Sequence, residues 1–148
     1  MTGITSVTDV EYEALIPMLN VRDIQASLDF YQNELGFQRV SSDRQLSDWR
    51  WARVACGSCD FMLMQTNAEL RLPRGCNAKI NTGWPAQLYF LLDDVEALHR
   101  RLSARGCEVS ALRQSEHGLM EFSMQDPDGH MLGFGRDLLD ENDELGKG

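Results

Sequence analysis

Apolar residues in this chain fall into short runs that alternate between a spacing of two and a spacing of three to four. Residues 14–21 (Ala14, Leu15, Ile16, Pro17, Met18, Leu19, Asn20, Val21) read as a strand, with Pro17 hinting at an edge or irregular position. Asp23 is placed to cap a helix that carries Ile24, Leu28, Tyr31 and Leu35 on one face, and Gly36 ends it. A short strand over 37–42 and a polar connection over 42–48 follow. Alternation then predicts a strand over 49–55 with Trp49, Trp51 and Arg53 on one side. Gly57-Ser58 turns the chain, and residues 61–65 return it.

The second half repeats this order. Residues 87–92 form a strand, Asp93-Asp94 caps a helix bearing Val95, Leu98 and Leu102, Gly106 ends it, and 107–112 is a further strand. Residues 119–124 and 130–135 pair as a hairpin around Asp126-Pro127-Asp128-Gly129. In that turn Pro127 presets φ for the first corner and Gly129 takes positive φ freely. The distance from cap to helix-end glycine (Asp23 to Gly36, then Asp94 to Gly106) differs between halves by one residue. From helix-end glycine to hairpin glycine (Gly36 to Gly57, then Gly106 to Gly129) it differs by two. Matched spacings in the same order indicate a duplication. The expected fold class is α+β, two tandem βαβββ modules sharing a core, because neither sheet can bury its apolar face alone. The expected boundaries are 13–66 and 86–136 for the modules of a single domain over 13–136, a linker over 67–85, and polar tails over 1–12 and 137–148.

Composition narrows the partners. A net charge of −9 and a pI near 4.7 disfavour nucleic acid, which requires clustered Lys and Arg. No run approaches the roughly 18 apolar residues of a membrane span, and Met1 to Tyr12 lacks the pattern of a signal peptide, so a cytoplasmic location is expected. Cys56-Gly57-Ser58-Cys59 has C-x-x-C spacing but no second ligand pair and no following helix. It is expected to flank a hairpin turn rather than to hold zinc or do redox chemistry.

Ile16-Pro17-Met18-Leu19-Asn20-Val21-Arg22-Asp23, then Ser27-Leu28-Asp29-Phe30-Tyr31 and Leu35-Gly36-Phe37, resemble the opening of the vicinal oxygen chelate superfamily. That superfamily contains glyoxalase I, extradiol dioxygenases, and the fosfomycin- and bleomycin-resistance proteins. Glu121-Phe122-Ser123-Met124-Gln125-Asp126-Pro127-Asp128-Gly129-His130 resembles its closing signature. The resemblance implies a divalent metal held by His, Gln or Glu from four strands. Carried over by motif, those positions fall on Ile16, on Leu63 or Met64, on Gln87 and on Gly133. Only Gln87 could ligate a hard divalent ion, so neither a metal nor another cofactor is expected, and no catalytic residue is assigned.

The expected site is a ligand pocket lined by Ile16, Trp49, Trp51, Leu63, Met64, Gln87, Tyr89, Met131 and Gly133, with Trp84 at the module junction. Aromatic and thioether walls suit a small molecule that is aromatic or cationic. The resemblance to bleomycin-resistance proteins further implies a homodimer that sequesters its ligand. The alternative is a metal-dependent glyoxalase-like lyase or isomerase, or a dioxygenase, using an unexpected set such as Gln87, Glu121 and His117. Strand alternation puts Glu121 opposite Met120, Phe122 and Met124, which places it outside the core, facing solvent or a salt-bridge partner. His99 is expected at a solvated helix edge and His130 at the rim.

Overall fold

In the computed structural model the chain is described over residues 10–70 and 86–138. Two four-stranded sheets are built in parallel fashion. The first module runs β1 (Met18–Val21), α1 (Ile24–Asn33), β2 (Gln38–Arg39), α2 (Asp43–Trp49), β3 (Trp51–Cys56) and β4 (Cys59–Gln65). The second runs β5 (Leu88–Leu91), α3 (Val95–Ala104), β6 (Arg113–Gln114), β7 (Leu119–Gln125) and β8 (Met131–Asp137). The sheet orders are β1-β4-β3-β2 and β5-β8-β7-β6, so each sheet places its first strand parallel to its last. The duplication inferred from spacing is thus present in topology as well as in order.

Both long helices start as expected. The Asp23 carboxylate accepts from the backbone N–H groups of Gln25 and Ala26, and the Asp94 carboxylate accepts from that of Ala97. Gly36 and Gly106 follow the helices at φ of 80° and 82°, a conformation that a side chain would resist. The helices bury Ile24, Leu28, Tyr31, Val95 and Leu102 against one face of each sheet, and a single core joins the modules. Its centre is aromatic: Phe37 and Phe61 meet Phe90, which stacks on Phe134.

Three expectations are corrected. Residues 43–49 are the helix α2, not a loop. Ser42 caps it through a reciprocal capping box with Gln45, a signal that the S-x-x-Q spacing already carried. Trp49 therefore ends a helix rather than opening a strand, and Arg50 takes a left-handed conformation (φ 50°) that starts β3 at Trp51. No strand forms over 107–112: Ser110 bonds Ser123 of β7, but the ladder begins only at Arg113, in β6. His99 is half-buried, not solvated: its Nε2 bonds the Ser110 carbonyl and its ring meets Phe122 edge-on. Cys76, Trp84 and most of the expected linker lie outside the described residues.

Between β3 and β4 only Gly57 and Ser58 intervene, whereas residues 126–130 join β7 to β8. This longer turn reaches into the first module. Asp128 accepts from the Arg22 backbone N–H (2.8 Å), the Arg22 guanidinium (3.2 Å) and the Ser27 hydroxyl (3.3 Å). The Tyr31 hydroxyl donates to Asp126 Oδ2 at 2.7 Å. Both carboxylates are buried and satisfied, so the turn is an inter-module clasp.

Candidate ligand site on the sheet faces

Register assigns every side chain to a face. On the first sheet Ala52, Val54, Phe61 and Leu63 point to the helices and are buried in the core. The opposite face carries Met18 beside Met62, Asn20 beside Met64, and Trp51 beside Met64. Of the two residues expected in the pocket here, Leu63 faces the core and Met64 the helix-free side. Ile16 precedes β1 and is half-buried. Trp49, 62% exposed at the end of α2, does not share a strand face with Trp51.

On the second sheet the helix-free face carries Tyr89, Met131, Gly133, Ser123, Gly135 and Glu121. Tyr89 pairs with Gly133 and lies across β8, so its hydroxyl reaches Glu121 Oε2 on β7 at 2.7 Å. Only a glycine at 135 permits this, because a Cβ built there would land on the Tyr89 hydroxyl. Arg113 lies 3.5 Å from the other carboxylate oxygen. Burial first, and then the bond to Glu121, holds the Tyr89 phenol well above its ordinary pKa, so it is a donor at any physiological pH. Gln87 sits just before β5, half-buried, with the same parity as Tyr89.

Glu121 lies on the face that alternation assigned, but it is not solvated: it is only 4% exposed. The Tyr89 hydroxyl and the Arg113 guanidinium compensate its charge, which alternation alone cannot reveal. Next to it, Arg113, Gln114, Ser115, Glu116 and His117 line a polar cavity of about 290 Å³ into which Glu121 also faces. Of the alternative set Gln87, Glu121 and His117, the fold puts Glu121 and His117 on one cavity wall, and Gln87 does not line that cavity. His130 bonds the Asn20 carbonyl at 2.8 Å and belongs to the inter-module clasp.

The positions that would bind a metal fit one poorly. Ile16 and Gly133 have no donor atom, Met64 offers a thioether and Gln87 an amide, a set without a carboxylate, imidazole or thiolate. Among the described residues, no three His, Cys, Asp or Glu side chains cluster as a metal site.

Comparison with known proteins places the chain. A model of the Glyoxalase/Bleomycin resistance protein/Dioxygenase superfamily matches residues 14–134, and the chain belongs to that superfamily. Solved structures share its fold at low identity. An integron cassette protein from the mobile metagenome of the Halifax Harbour sewage outfall is 20% identical, with a TM-score of 0.66 over 84% of this chain and 99% of its own. A lactoylglutathione lyase from Agrobacterium tumefaciens is 21% identical, with a TM-score of 0.59 over 86% and 96%. The fosfomycin resistance protein FosX from Listeria monocytogenes is 17% identical, with a TM-score of 0.66 over 89% and 98%. A search of curated proteins returns no match. Among the described residues no helix is long and apolar enough to cross a membrane.

Proposed function

We propose that this chain is a metal-free small-molecule binding protein that sequesters an aromatic or cationic ligand on the helix-free faces of its sheets. The observation that carries the reading is the exchange of donors: Ile16, Met64, Gln87 and Gly133 at the metal positions, with a Tyr89–Glu121 pair seated over Gly135 instead. Glu121 supplies the charge that attracts a cation. Arg113, with its side chain 46% exposed, is the partner a cationic ligand displaces. Trp51, Met62 and Met64 supply an apolar wall on the other sheet.

A homodimer completes the site by setting the thioether face of one copy against the Tyr89–Glu121 face of the other, in a two-fold arrangement. Met18, 53% exposed, is an apolar residue that such an interface covers. The acidic composition suits a cytoplasmic setting. A competing reading, a metal-dependent lyase, isomerase or dioxygenase, draws on one observation, that His117 and Glu121 share a cavity wall.

Two measurements separate them. Elemental analysis of protein supplemented with Zn²⁺, Ni²⁺, Mn²⁺ or Fe²⁺ returns no stoichiometric metal if the proposal is right, and one bound equivalent overturns it. Tryptophan emission titrated with a panel of cationic aromatic compounds is quenched saturably, and Glu121→Gln weakens that binding at least tenfold. A flat response across the panel removes the sequestering role.

A further inference from the structure

The duplication is broken at the hairpin turns as well as at α2, and the difference between the turns leaves a cavity. In the first module, the start of α1 presents Arg22, Ser27 and the Tyr31 hydroxyl, and the turn over residues 126–130 fills the space above them with two carboxylates. By the matched spacing of caps, the corresponding positions at the start of α3 are Asp93, Leu98 and Leu102. The turn that should fill the space above these is Gly57-Ser58, which is three residues shorter and cannot reach in. A cleft of about 350 Å³ remains between that turn, with Cys56 and Cys59 on either side of it, and Leu35, Phe37, Phe90, Leu91, Leu92, Leu98 and Phe134.

We propose that this cleft is a binding site for a small, uncharged, apolar molecule, separate from the sheet faces. Its walls cannot collapse cheaply into the space. Phe37 is held against Phe90 (5.7 Å between ring centroids), and Phe90 is stacked on Phe134 (5.3 Å), within the common core. No carboxylate, ammonium, guanidinium or imidazole lines the cleft, so a charged ligand would lose its hydration without compensation there. The volume lies at the low end of ligand pockets, and a docking helix, about 10–12 Å across, does not fit a pit of this size. Apolar cavities that stay dry take up aromatic guests. The polarity of the two junctions is therefore complementary to what fills each: carboxylates over hydroxyls and a guanidinium, and an apolar guest over leucines.

Cys56 and Cys59 report on occupancy, because they are direct cross-strand partners, exposed, and free. The test uses the full chain and the neutral fluorophore N-phenyl-1-naphthylamine. Its emission should rise saturably, and at saturation iodoacetamide labelling of Cys56 and Cys59, followed by peptide mass spectrometry, should slow at least fivefold while Cys107 is unaffected. Leu98→Arg should weaken the probe at least tenfold, and Glu121→Gln should leave it unchanged. Labelling of Cys56 and Cys59 that ignores the probe overturns the proposal, even if Leu98→Arg fails to fold. Probe binding lost in Glu121→Gln but kept in Leu98→Arg overturns it too, by moving the guest to the sheet face. Labelling that slows with protein concentration in the absence of probe also overturns it, since a second copy then covers the cleft.

Discussion

Tyr31→Phe isolates the clasp between the modules. The substitution keeps the ring, which packs edge-on against Phe61 at 4.9 Å, and removes only the hydroxyl that donates to Asp126 Oδ2 at 2.7 Å. Asp126 Oδ1 retains the backbone N–H groups of Asp128 (3.0 Å) and His130 (2.9 Å), so one carboxylate oxygen is orphaned and the other is not. A buried hydrogen bond to a charged acceptor contributes about 1.5–3 kcal/mol, and one to a neutral acceptor about 1 kcal/mol. The loss at neutral pH should therefore be about 2 kcal/mol.

Its pH dependence identifies the cause. Burial raises the Asp126 carboxyl above its ordinary pKa, opposed by His130 and by the Tyr31 hydroxyl. Because the folded pKa lies above the unfolded one, the folded state binds the proton more tightly. Stability from this group is then greatest at acid pH and falls as pH rises through the folded value. Removing the Tyr31 hydroxyl raises the folded value further and extends the fall. The deficit of Tyr31→Phe relative to the unaltered protein should thus grow from about 1 kcal/mol in acid to about 2 kcal/mol near neutrality. Urea melts at a series of pH values measure it, with m unchanged. In an Asp126→Asn background the deficit should stay near 1 kcal/mol at every pH. A deficit that is independent of pH in the parent, or one below about 0.5 kcal/mol at neutrality, refutes the assignment of a charged acceptor.

Asp128→Ala strips the acceptor from Arg22 and Ser27 and should cost about 2–4 kcal/mol by urea denaturation, less than a fully buried pair because Arg22 can turn to water. Gly135→Ala should cost about 1–3 kcal/mol by driving the Tyr89 ring off Glu121, and Tyr89→Leu in the same chain should recover most of it. Additive losses in that pair would contradict the proposed contact. Ser42→Ala should cost about 0.5–2 kcal/mol or fray α2, seen as faster amide exchange in residues 43–49 with the sheets unaffected.

Much of the fold was legible because its signals are local. Asp23 and Asp94 announce helix starts, Gly36 and Gly106 announce stops, and repeated spacing exposes the duplication. α2 was equally local, but its capping box sits in a polar segment with no buried residue, and hydrophobic periodicity is silent there. The site was harder to read, for a different reason. Alternation placed Glu121 on the correct face, yet its burial depends on Tyr89 reaching across β8, a contact between residues 32 apart that requires a glycine at 135 on the strand between them. The same holds for Asp126 and Asp128, whose partners lie 95 to 106 positions away, so a turn that reads as mere punctuation is in fact an anchor.

A duplicated fold contains two copies of every junction, and selection on length alone can differentiate them. The longer turn of the second module brings its own carboxylates into the first module, where Arg22, Ser27 and Tyr31 meet them. The shorter turn of the first module brings nothing, and the facing helix start carries leucine where the other carries serine. A polar pit left unfilled would hold water at little cost, whereas an apolar one leaves its wall atoms without contacts. Lengthening the Gly57-Ser58 turn to five residues while keeping Leu98 should therefore stabilise the fold only if the inserted residues are apolar. Replacing Gly57-Ser58 by Asp-Pro-Asp-Gly-His, the five residues of the other turn, should destabilise it, because the side chains of Asp93, Leu98 and Leu102 offer its carboxylates no donor. Urea melts of the two lengthened variants decide the point, and equal stability would mean that the junctions are interchangeable.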